Sequence, residues 1–117
     1  MGKTNIEEMS YRFALSIVKL NEYLHDKRHF VLAKQILRSG TAIGALVSEA
    51  QYAQSKADFV HKLQISLKEA NETRYWLRLL HDSDYLNVKS FESLKQDLES
   101  IIRILTKIIN TSKKSCL

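Results

Sequence analysis

Proline is absent from this 117-residue chain, and only two of its three glycines, Gly40 and Gly44, lie beyond the N-terminus. Chains built on β-turns use both residue types freely, so their scarcity argues against a sheet and for long helices. The single cysteine, Cys116, cannot close an internal bridge, and a reducing cytoplasm is the expected compartment. No run approaches the ~20 apolar residues of a bilayer span, and no signal-peptide pattern precedes Met9, so no membrane is expected as a partner. A chain of this length reads as one domain, residues 1–117, burying roughly 65% of its unfolded surface without disulfide or metal staples.

What is present begins with charge. The net charge is +5, and the surplus sits toward the ends: residues 55–86 balance five Lys/Arg against five Asp/Glu, whereas residues 87–117 carry six against three. Such a surplus attracts phosphate backbones and is also found on ordinary solvated surfaces.

The apolar pattern has the helical period throughout. Four helices are predicted over about 8–25, 30–53, 56–82 and 88–112, with residues 1–8 and 110–117 as polar ends. Met9, Phe13, Ile17, Leu20 and Leu24 form the inner stripe of the first helix. Asp26 or His29 is placed to cap the second, whose core face holds Ile36, Gly40, Ile43, Val47 and Ala50. Gly40 and Gly44 share one face and would let a neighbouring helix approach closely. Ser55 and Asp58 have the spacing of an N-cap and a first-turn acid, so the third helix starts at about Lys56 and folds back on the second. Asn87 caps the fourth, which has one wide stripe from Phe91 to Ile109. Short links between long helices predict an all-α, antiparallel up-down-up-down four-helix bundle.

Two helices carry a second apolar face. Tyr11, Leu15 and Val18 lie on the far side of the first helix. Ile65, Trp76 and Leu79 lie on the far side of the third, with Glu69 and Glu72 between them. A peripheral bundle helix needs one stripe, so these residues predict a homo-oligomer with helices one and three at the subunit boundary.

The search for chemistry ends without a catalytic set. His25 and His29 are four apart in a charged link with no cysteine nearby, which is better read as a solvated loop than a metal site. Glu69-x-x-Glu72 lacks the Glu-x-x-His pair of di-iron bundles, and these carboxylates read as partners for Lys or Arg. No phosphate loop follows a strand. The chain reads as a non-enzyme without cofactor or metal. For nucleic acid the candidates are Arg12 and Lys19 on the first helix, Lys27 and Arg28 in the link, and Lys34 and Arg38 on the second helix. No base-reading motif accompanies them, so RNA or DNA would be held by backbone and shape.

The runs Phe13-Ala-Leu-x-Ile-Val-Lys-Leu20, Gln35-x-Leu-Arg-Ser-Gly-Thr-x-Ile-Gly44, Ser48-Glu-Ala50, Ser55-Lys-Ala-Asp-Phe59 and Lys68-Glu-Ala-Asn-Glu-Thr-x-Tyr-Trp-Leu77 resemble the four-helix-bundle proteins encoded in intervening sequences of bacterial 23S rRNA genes. Leu46-Val47 departs from the pattern, since the family commonly has an asparagine there. The family is itself similar to the accessory protein of diversity-generating retroelements. The resemblance implies a ring-like homopentamer and a role alongside nucleic acid. A scaffold that docks another protein, such as a reverse transcriptase, is the alternative. It attaches no catalytic role to these motifs, which would serve packing and assembly.

Overall fold

The computed structural model describes residues 5–115 as α1 (Ile6–Asp26), α2 (Phe30–Ala50), α3 (Lys56–Asp82) and α4 (Val88–Ser115), with no strand among them. Three of the four helices begin on a side chain that accepts a first-turn N–H. Asn5 Oδ1 accepts from Glu8 N–H at 3.4 Å, Ser55 Oγ from Asp58 N–H at 3.0 Å, and Asn87 Oδ1 from Ser90 N–H at 2.8 Å. The Asp58 carboxylate reaches back to Gln54 N–H at 3.2 Å, closing the tight α2–α3 corner with a reciprocal pair. The expected cap of α2 is different. His29 occupies the cap position without a side-chain bond, and its ring lies flat on Tyr85 with centroids 3.6 Å apart.

That stack joins two corners with the same geometry. At the end of α1, His29 N–H bonds Leu24 C=O at 2.8 Å and Arg28 N–H bonds His25 C=O at 2.9 Å. At the end of α3, Tyr85 N–H bonds Leu80 C=O at 2.9 Å and Asp84 N–H bonds His81 C=O at 3.0 Å. Both are Schellman closures, with the left-handed position held by Arg28 (φ 67°) and Asp84 (φ 63°) instead of glycine.

Boundaries shift from the expected ones for local reasons. α1 starts at Ile6, because Asn5 caps it and Ile6 is itself buried. α2 stops at Ala50, and residues 51–55 form the corner. α4 continues to Ser115, so most of the expected polar tail is helical. The calls on residues 1–4 and on Cys116 lie outside the described residues.

The helices pack in ring order, α1 on α2, α2 on α3, α3 on α4, with α4 closing more loosely onto α1. With each neighbour antiparallel, the body measures 49 × 24 × 22 Å. The core runs along its axis, with Phe13, Ile17, Leu24, Ile36, Ile43, Leu63, Leu77, Leu98, Ile101 and Leu105 all buried. Gly40 and Gly44 do bring α1 close: a Cβ on Gly40 would lie 2.8 Å from Ile17 Cγ1, and one on Gly44 would lie 3.1 Å from the Ser10 carbonyl oxygen.

α2, at the centre of this packing, is also the one described helix long and apolar enough to meet a simple spanning criterion, with a mean hydropathy of 1.3 over its best window. That corrects the expectation that no segment approaches such a span. The apolarity serves packing: α2 is clasped between α1 and α3, and its inward residues from Ala33 to Ala50 are in the core.

Candidate nucleic-acid and subunit interfaces

The motif residues meet around the middle of α2. Ser39, Ser66 and Thr73 are buried hydroxyls in the α2–α3 seam. Ser66 Oγ donates to Ile43 C=O at 2.9 Å, tying α3 to the backbone of α2. The Thr73 hydroxyl lies 2.9 Å from Ser39 Oγ and 2.8 Å from Glu69 C=O. Its one proton serves one of these contacts, and the Ser39 proton can serve the other.

Just outside this seam, Arg38 Nη1 donates to Glu69 Oε1 at 3.1 Å and Arg38 Nη2 donates to Glu72 Oε2. The Trp76 indole N–H donates to Glu72 Oε2 at 3.0 Å. The indole bond and then the guanidinium hold the Glu72 carboxyl below its usual range, and the bond to Glu72 raises Arg38. The side chains are 50% exposed for Arg38 and 35% for Glu72, so water screens the pair and its worth is at most ~1 kcal/mol. The expected Lys or Arg partner of the two glutamates is therefore Arg38 of the same chain. Arg38, a nucleic-acid candidate, has both faces of its fork engaged.

The other candidate cations are dispersed. Arg12 is bonded to Glu8 at 2.8 Å and lines the α1–α4 seam beside Asp97. Lys19 lines the same seam farther along, facing Lys89. Lys27 sits 5.7 Å from the Tyr23 ring centroid at the α1–α2 corner, and Arg28 holds the left-handed position of that corner. Lys34 is exposed on α2. The six do not form one continuous band on a single protomer. They point to the α4 side of α1, to one pole, and to the outside of α2.

Three cations that were not among the candidates, Lys89, Arg103 and Lys107, are exposed on α4, and of these Lys89 lines a groove against α1. Their positions follow the helical period, and the angular position of each charge, not the count per segment, is the signal that finds them.

The apolar candidates divide. On α1, Tyr11 (61% exposed), Leu15 (47%) and Val18 (39%) stand clear of the core. On α3, Ile65, Trp76 and Leu79 are half-buried, and Trp76 packs partly against its own core. Glu69 and Glu72 lie beside them on the α2 side. The α3 face is less exposed than the spacing predicts, with Arg38 of α2 reaching the Glu69 and Glu72 that border it; Tyr75, at 59%, is the exposed aromatic there. α1 and α3 are diagonal in the bundle, and both faces border α2: Tyr11 shares a groove with Thr41 and Ser48, and Trp76 is bonded to the Glu72 that Arg38 holds.

The histidines of the α1–α2 link do not converge. His25 meets Phe30 edge-on at 5.1 Å, while His29 stacks on Tyr85. Among the described residues no group of three His, Cys, Asp or Glu could hold a metal.

Residues 3–107 match the family model described as 23S rRNA-intervening sequence protein. No curated protein matches. Among solved structures, the chain is similar to a protein with unknown function from the S23 ribosomal protein family from Bacteroides thetaiotaomicron VPI-5482. The two are 48% identical, with a TM-score of 0.87, over 89% of this chain and 97% of that one.

Proposed function

Since this chain belongs to the 23S rRNA-intervening sequence protein family, we propose that it works without catalysis, as a homo-oligomer in the cytoplasm that associates with RNA or DNA through a basic surface. The observation that carries this reading is how the charges are partnered. Carboxylates are concentrated on pairs around α3: Arg38 with Glu69 and Glu72, Lys62 with Asp58 and Glu49, Arg74 with Glu99, and Arg78 with Asp82. The surplus lies on α4, where six Lys/Arg face three Asp/Glu, and on Lys27 and Arg28 of the α1–α2 corner, whereas α1 sets Arg12 and Lys19 against Glu7, Glu8, Glu22 and Asp26. A backbone-reading protein needs cations free to displace counterions from phosphates, and needs no base-reading motif.

Assembly is supported by the Tyr11, Leu15 and Val18 patch. Head-to-tail contact between this patch and the α3 face would leave neither uncovered, and heterologous contacts give rings where the rotation between subunits closes. A five-membered ring is what the sequence resemblance implies, and it would multiply the charge fivefold. The same apolar patch favours the second reading, a scaffold that docks another protein such as a reverse transcriptase without touching nucleic acid.

The test is the mass of the purified particle by light scattering together with its 260/280 nm absorbance ratio, before and after nuclease treatment in high salt. The proposal expects a multiple of the 13.5 kDa chain and a raised ratio that nuclease lowers. A monomer free of nucleic acid that also fails to retain added RNA at 50 mM salt would refute it.

A further inference from the structure

We propose that the α1–α4 seam is the track that receives the phosphate backbone of the bound nucleic acid. This inference rests on the reading above and locates it, on a surface largely different from the one the sequence candidates mark.

The seam is the loosest of the four helix junctions, and two grooves lie along it. One groove lies between Lys19 and Tyr23 of α1 and Lys89, Ser90 and Ser93 of α4. A second follows with Arg12, Ser16 and Ser100, and a further pocket, lined by α4 alone, holds Lys107 and Thr111. On α4 the row Lys89, Ser93, Ser100, Arg103, Lys107, Lys114 steps by four, seven, three, four and seven residues, which keeps it on one helical face. The row itself contains no acid, and Glu92 and Asp97 flank it on either side. Among the described residues no carboxylate pairs with Lys19, Lys89, Arg103 or Lys107, and Arg103 donates only to Ser100 Oγ at 3.4 Å. The one carboxylate lining the seam is Asp97, opposite Arg12, whose own partner is Glu8.

Cations alternating with hydroxyls match a partner whose acceptors repeat. Arg and Lys supply charge to phosphates, and Ser and Thr hydroxyls supply the neutral donors that fix register. From Lys89 to Lys114 the helix rises ~37 Å, the axial length of about 11 nucleotides of one B-form strand. An acidic protein would instead call for apolar anchors at the centre of the contact. Of the exposed large apolar residues of α1, Tyr11, Leu15 and Val18 lie around the helix from this seam, and Tyr23 alone lines it.

The experiment compares two triple variants of the full chain. Lys89→Gln/Arg103→Gln/Lys107→Gln strips the seam, and Lys34→Gln/Lys68→Gln/Lys95→Gln removes equal charge from the other faces. Binding of a fluorescein-labelled RNA hairpin and of the matching DNA duplex is followed by anisotropy from 50 to 300 mM salt, with helicity checked by circular dichroism. The seam variant is expected to lose affinity by about 100-fold at 0.1 M salt and to lower the slope of log K against log salt by about 2–3, while the control variant keeps the wild-type slope. Equal losses in the two variants, or an unchanged slope in the seam variant, would overturn the site and leave the nucleic-acid reading standing. Absence of wild-type binding at 50 mM would overturn both. Displacement by poly-glutamate as effective as by unlabelled RNA would point to an acidic polypeptide and also overturn it.

Discussion

Replacing Gly40 by alanine sets two opposed effects against each other. In the middle of a helix, alanine is favoured over glycine by about 1 kcal/mol, so a site with room for a methyl group would gain stability. Gly40 has no such room. The added Cβ would lie 2.8 Å from Ile17 Cγ1, 3.0 Å from Cγ2 and 3.2 Å from Cδ1. Ile17 is fully buried, and its Cβ branch confines χ1 to essentially one rotamer in a helix, so it cannot swing aside. Relief requires α1 and α2 to separate, at an overpacking cost of about 1–3 kcal/mol that spreads along the seam to Gly44 and Ser10. Gly40→Ala is therefore expected to destabilise by a net of up to ~2 kcal/mol, lowering Tm by up to about 8 °C. The assay is urea and thermal unfolding at one fixed protein concentration, since assembly makes stability concentration-dependent. Ile17→Ala alone leaves a cavity and costs about 2–5 kcal/mol, and the double variant should be less destabilised than the two singles added together by at least ~1 kcal/mol. A Gly40→Ala protein more stable than wild type, or strictly additive singles, would refute the steric argument.

Further predictions follow from the other contacts. Ser39→Ala leaves Thr73 with one proton and one fewer buried partner, and should cost about 1–2 kcal/mol by the same unfolding assay. Arg28→Gly and Asp84→Gly relieve left-handed backbone and should be neutral to stabilising, up to ~1 kcal/mol each. The Glu72 carboxyl is depressed in the fold, so its contribution is present at neutral pH and is lost as pH falls below its ordinary value of 4.5 and through the lower folded value. Glu72→Gln should flatten the acid limb of the stability profile and change Trp76 fluorescence, with both effects reduced in 1 M salt. Leu15→Glu, on an exposed position, should reduce particle mass in light scattering with helicity retained. Trp76→Glu should lower Tm as well, because that ring packs partly against its own core.

Much of the architecture was legible because a bundle is written in local periodicity. The Phe13, Ile17, Leu20 and Leu24 stripe, the Ser55 and Asn87 caps and the shared face of Gly40 and Gly44 all require only the geometry of one helix. What was not legible depended on two helices at once. Ile65, Trp76 and Leu79 read as an outer face of α3 because spacing cannot show that Arg38 of α2 would reach across to Glu69 and Glu72. Asp26 or His29 reads as the cap of α2, and His29 does take that position, but its stack on Tyr85, 56 positions on, is invisible to spacing. The α4 cations read as a surplus at the chain's end, and that Lys89 would share a groove with Lys19 of α1 emerges only when α4 closes the bundle.

The antiparallel course has one more consequence. α4 returns to the pole from which α1 sets out, so Asn5 and Ser115 belong to the same end of the molecule as the Gln51–Ser55 corner, opposite the His29–Tyr85 stack. A chain rejoined through a short linker between those ends and reopened within that corner would thread the same four rods in a new order, α3, α4, α1, α2. The shape of this protein is thus indifferent to which hairpin is made first.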